Sequence, residues 1–174
     1  MLASHPTPKP LTPLQLLACI SAAAIASTVL FGWATDNASL TRILPSSIAM
    51  NPMTAVCLLA MSWAILLRSP RTAGLFYALA AAAILVGSTK LLQLALGVPD
   101  GIDQLLFGDR LASVRGAHNR MAPNTAFALA ALGIGLLTSR LRDPRALIVS
   151  QIMCLVSAGT ALAAVVGYLL DVVA

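Results

Sequence analysis

The chain has 174 residues, of which 59% are hydrophobic and 10% charged, with no glutamate among its six acids, and a mean hydropathy of +0.88. A soluble domain carries roughly a quarter charged residues, so this composition excludes a water-soluble globule and fits one compact bundle in lipid. The net charge of +5 does not point to nucleic acid, because the cations sit at the ends of apolar runs instead of in one basic patch with interleaved aromatics.

Residues 1–13 hold four prolines and predict a flexible N-terminal tail. A single helical domain, 14–170, is expected to follow. Its first span covers about 14–33, long enough for the hydrocarbon core. A secretory leader is the competing reading, but only Lys9 precedes the run and the run is long. The second span, 53–67, opens on Pro52 and is short. The third, 73–96, contains Lys90, expected near the far end with its ammonium snorkelling to the interface. The fourth covers 123–138. The fifth, 146–170, carries Tyr168 as an interfacial aromatic. Trp33, Trp63, Phe76 and Tyr77 read as further interfacial anchors. Cys19, Cys57 and Cys154 fall inside apolar runs without metal or disulfide spacing, so buried, inert thiols are expected.

Loop charge sets the expected orientation. Lys9, the pair Arg68 and Arg71, and the trio Arg140, Arg142 and Arg145 fall on one side. Short basic loops make that side the cytoplasm. The N-terminus is then inside and, after five spans, residue 174 outside. The opposite loops are longer and mixed in sign.

The most specific feature is an internal repeat. Met50-Asn51-Pro52-Met53-Thr54-Ala55 recurs 71 residues later as Met121-Ala122-Pro123-Asn124-Thr125-Ala126. Each copy follows a short amphipathic piece: Leu40, Ile43 and Leu44 in one, Ile102, Leu105 and Leu106 in the other. The expected unit is helix, amphipathic segment, Met-x-Pro-x-Thr-Ala, helix. Proline suits a first helical turn. Asn51 can cap that turn and Ala122 cannot. Thr54 and Thr125 lie where a hydroxyl meets spare backbone groups. The motif reads first as a device for starting helices. Two helix N-termini flanking an outer pocket is the functional reading.

No carboxylate lies in a span, and no catalytic triad, phosphate loop or metal spacing is present. His5 and His118 both lie outside the spans, so no cofactor is expected. Ser and Thr in the spans read as interhelical hydrogen-bonding groups, and the alanines and glycines as close-packing faces.

The stretch Gly101-Ile102-Asp103-Gln104-Leu105-Leu106-Phe107, then Met121-Ala122-Pro123-Asn124-Thr125-Ala126, resembles the multi-pass N-terminal membrane region of bacterial PAS-containing sensor histidine kinases and GGDEF diguanylate cyclases. The likeness covers roughly 15–170. Gly167-Tyr168-Leu169 resembles that region's next element. It implies a sensory input module in a bacterial inner membrane. The pattern's Gly-Arg before Met121 is Asn119-Arg120 here, and no output domain follows within the sequence. The expectation is therefore an all-α, non-catalytic membrane module, binding a ligand or a partner on its outer face through Met50, Thr54, Asp103, Arg120, Met121 and Thr125, with Asp103 and Arg120 paired across the loop. Expected partners are lipids, other membrane subunits or a second copy. The alternative is a structural accessory subunit of a respiratory or photosynthetic complex. Transport is disfavoured by the lack of charged or broken helices at mid-depth.

Overall fold

The computed structural model of the chain describes residues 10–42, 49–67, 69–98, 101–113 and 119–170. Among these the structure is all-helical. The helices are α1 (Pro13–Ala34), α2 (Pro52–Leu66), α3 (Ala73–Ala95), the short α4 (Gly108–Ser113), α5 (Pro123–Ser139) and α6 (Pro144–Leu169). The five long helices start and stop within two residues of the predicted spans. Of the predicted tail, 1–9 lies outside the described residues, and Pro13 already belongs to α1.

The helix ends follow from local chemistry. Thr12 and Gln15 form a reciprocal capping box, and Pro13 takes the first turn of α1. Asn51 caps α2 through Met53 N–H at 2.9 Å, whereas Ala122 gives α5 no side-chain cap. Both α2 and α5 have proline in the first turn. α3 ends in a Schellman turn: Gly97 takes φ +67°, and Val98 N–H returns to the Gln93 carbonyl at 2.9 Å. α1 ends similarly, with Asp36 at φ 57° and Asn37 N–H on the Gly32 carbonyl at 2.9 Å.

The long helices form a row, α1–α2–α3–α5–α6, each packed chiefly on its neighbours. α3 and α5 run antiparallel, because Gly87 of α3 meets the start of α5 while Ala80 meets Gly133, farther along it; α5 and α6 do too, since Ser150 meets Gly135 and Ser157 meets Ala128. Among the described residues, one end of the row carries 35–42, 49–51, 96–98, 101–113 and 119–122. The other carries 67, 69–72 and 140–143.

Three helices are long and apolar enough to cross a membrane: α1, α3 with the 3-10 turn that precedes it, and α6. They measure about 33 Å or more at 1.5 Å per residue, while α2 and α5 reach only about 23–26 Å. Their outward faces are openly apolar. Leu14, Leu85, Leu155, Leu162 and Leu169 are all more than 60% exposed. Apolar exposure on this scale requires lipid or a partner to cover it.

Small residues set the interhelical distances. A Cβ on Gly87 would lie 2.5 Å from the Ala126 carbonyl oxygen, and one on Gly133 would lie 2.9 Å from that of Ala80. On α6, Ser150 donates to the Gly135 carbonyl at 2.8 Å and Ser157 to that of Ala128 at 2.9 Å. Such bonds replace hydrophobic drive as glue where the surroundings are themselves apolar.

Several expectations need correction. Lys90 does not snorkel: its side chain is 1% exposed, on the inward stripe of α3 with Phe76, Ala80, Ala83 and Gly87. Trp33 and Phe76 pack inside the protein instead of facing outward as anchors, while Trp63 and Tyr77 are exposed. Tyr168's side chain lies outside the described residues. The second amphipathic piece opens as a 3-10 turn, Ile102–Gln104; Ile102 and, beyond the turn, Leu106 pack inward but Leu105 is exposed. A single stripe fails because the turn stops before a full α-helical repeat forms. Of the first piece, Ile43 and Leu44 lie outside the described residues.

Gly87→Ala is expected to destabilise the protein by about 1–3 kcal/mol, because the new methyl meets backbone and no flexible side chain can yield. Gly159→Ala, in α6 with nothing within 4 Å, should be neutral or stabilising. Thermal unfolding of the two variants in the same detergent checks the opposite signs.

Candidate functional site at the long-loop end

The polar groups of the row converge where α1 ends and α2 and α5 begin. Asn51 both caps α2 and reaches across. Its Nδ2 donates to the Asn119 carbonyl at 2.9 Å, and Asn119 Nδ2 donates back to the Ala49 carbonyl at 2.7 Å. Both side chains are buried. This clasp ties the segment entering α5 to the segment entering α2, about one repeat length apart in sequence.

A second tie runs beside it. Trp33, the penultimate residue of α1, is 4% exposed and donates its indole Nε1–H to the Met50 carbonyl at 2.9 Å. Met50 N–H donates to the Thr41 carbonyl at 2.8 Å, holding residues 36–42 against the start of α2. Arg110 of α4 donates to the Trp33 carbonyl. Its guanidinium also lies 5.8 Å from the Phe107 ring centroid, and Phe107 stacks on Trp33 at 6.4 Å. Leu111 is fully buried among Ala26, Val29, Trp33, Ala49 and Ala55. α4 belongs to the second half of the chain but seats its apolar residue in the core of the first. Between α4, the end of α1 and residues 36–42 lies a small cleft of about 70 Å³, bordered by Trp33, Asp36, Thr41, Arg42 and Arg110.

The predicted site residues do not converge on one pocket. Met50 is half-buried and packs against the α1–α2 core. Met121 is 2% exposed and packs in a separate cluster with Met53, Cys57, Ala126 and Leu129. Thr54 is buried in the first turn of α2, and Thr125 is half-buried in that of α5. Arg120 is exposed. Asp103's side chain lies outside the described residues, so the expected Asp103–Arg120 pair does too. Thr54 and Met121 are both buried, in the first turn of α2 and just before α5.

Sequence reading missed Asn119, Trp33 and Arg110 as site-forming residues. Their partners are 17 to 77 positions away, and no local spacing marks such pairs. At the opposite end Arg140 does a similar job: it donates to the Leu67 carbonyl at 2.8 Å, at the end of α2, and lies 4.1 Å over the Phe76 ring. Among the described residues no group of three His, Cys, Asp or Glu side chains is placed to hold a metal ion. No protein-family model, curated protein or solved structure matches the chain.

The clasp has a measurable signature. Asn51→Ala and Asn119→Ala should each cost about 1–3 kcal/mol, because each leaves a buried partner unsatisfied. The double variant should cost less than the sum, because the two bonds are separate but each positions the segment that supplies the other's carbonyl acceptor. Reversible unfolding in mixed micelles measures all three. Strict additivity would show that the two side chains act independently.

Proposed function

We propose that the chain is a five-pass, non-catalytic membrane module that takes up a ligand or partner at its long-loop end and passes the effect through helix packing. The long-loop end is the outer face in this reading, and the membrane is the inner membrane of a bacterium. The observation that carries the proposal is the cross-tying of that end. Residues 107–111 and Asn119 are anchored in the α1–α2 half by Leu111, by the Arg110–Trp33 bond and by the Asn51–Asn119 clasp. A solute that shifts this segment acts on both helix pairs at once. The likeness of 101–107 and 121–126 to sensor kinases and cyclases points the same way.

Five passes rest on position in the row. α2 lies between α1 and α3, and α5 between α3 and α6. A short helix sandwiched between long antiparallel neighbours shares their layer, and the bilayer thins locally or the flanking residues snorkel to fit it. The duplicated Met-x-Pro-x-Thr-Ala then opens the second helix of each of two tandem units. Orientation rests on the basic short turns.

The accessory-subunit reading is favoured by one observation. The row is open at both edges, and α6 leaves Ala158 and Gly159 exposed along a face that a neighbouring helix could approach closely. Mild detergent purification with native mass spectrometry separates the two. Isolation as a small species whose melting temperature rises with a small molecule supports the sensory module. Stoichiometric co-isolation with subunits of a large complex overturns it.

Topology has its own test. In a background with Cys19, Cys57 and Cys154 replaced by alanine, Ser39→Cys should react with a membrane-impermeant maleimide on intact cells. Ser69→Cys should react only after permeabilisation. Both serines are exposed, so labelling of Ser69→Cys in intact cells would reverse the orientation.

A further inference from the structure

The cleft beside Trp33 carries the charge to select its occupant. Arg42 and Arg110 border it, opposed by Asp36, so among the described residues its charged lining is net positive. A guanidinium presents a planar fork of donors that matches a carboxylate's two oxygens. Arg110 is held in place by the Trp33 carbonyl and the Phe107 ring, and a donor already ordered loses less freedom on binding. The C-terminus of α1 also faces this region and brings about half an elementary negative charge. That field opposes a dianion more than a monoanion. Trp33's indole N–H is committed to Met50, so its ring offers a short apolar wall. At about 70 Å³ the cleft has room only for a small solute.

We propose that this cleft binds a small carboxylate-bearing solute, bridged between Arg42 on the 36–42 segment and Arg110 on α4. The proposal rests on the reading of the long-loop end as the ligand-binding end. The bridge would link the turn that leaves α1 to the helix that ties the two halves together. The same carboxylate chemistry is offered by a simple organic monoanion or by a small amino acid.

The test uses the full chain in lipid nanodiscs with Trp63→Phe, which leaves Trp33 as the single tryptophan of two and as the reporter. Sodium acetate and glycine are titrated against sodium chloride at matched ionic strength and against phosphate. Acetate or glycine should change Trp33 fluorescence saturably, and chloride should not. Loss of one charge-assisted contact corresponds to roughly a tenfold or greater rise in Kd. That rise is expected in Arg42→Gln and again in Arg110→Gln. Binding by acetate alone assigns an anion, and stronger binding by glycine assigns an amino acid; both support the carboxylate site. No saturable response to either, tighter binding of phosphate than of acetate, or an unchanged Kd in Arg42→Gln overturns it. If acetate and glycine fail while another compound raises the melting temperature, the cleft assignment falls and the sensory reading stands.

Discussion

The governing constraint is that a chain in lipid has to satisfy its own backbone. Within a helix this is automatic, but the last carbonyls of each helix have no intrahelical donor. Two of those ends are served by arginines from far along the chain. Arg110 meets the Trp33 carbonyl at the end of α1, and Arg140 meets the Leu67 carbonyl at the end of α2. A cation at a helix C-terminus also complements the negative end of the macrodipole. Both arginines rest against phenylalanine rings, Phe107 and Phe76, which shields the contacts from water and strengthens them. Satisfying the ends of the first two helices therefore recruits the second half of the chain, and the row becomes one body.

Between the ends the row is held by closeness. Gly87 and Gly133 let the backbones of α3 and α5 approach closely, and Ser150 and Ser157 stitch α6 to α5. These contacts have little compliance, because an extra methyl has nowhere to go. The α1–α2 side is built differently. Its core includes Leu111 from α4 and the Trp33–Phe107 stack, so its packing depends on a segment outside the row.

The fold was largely legible and the site was not. Apolar runs bounded by proline and arginine located five helices closely, since hydropathy and first-turn proline act locally. The cap at Asn51 and its lack at Ala122 were legible for the same reason. Asn119 and Arg110 were not, because their meaning lies in carbonyls of remote residues. Lys90 is an instructive miss. Its depth along α3 was weighed but its face was not. Phe76, Ala80, Ala83, Gly87 and Lys90 alternate steps of four and three, the spacing of one buried stripe. The periodicity that located the helix also assigned this lysine to the interior.

That placement bears on how the two halves communicate. Lys90 lies one turn beyond Gly87, at the level where α3 meets the first turn of α5. It is engaged by the protein, as a buried ammonium has to be, since an uncompensated charge there would cost several kcal/mol. Gln93, three residues on, accepts from Ile102 N–H at 3.4 Å, which fixes the start of the segment leading to α4. One face of α3 thus meets the start of α5 and, within a turn, the root of the segment that crosses to α1. A displacement of α4 at the cleft has a short covalent path back to this level, and the close contact at Gly87 would carry it onward into α5.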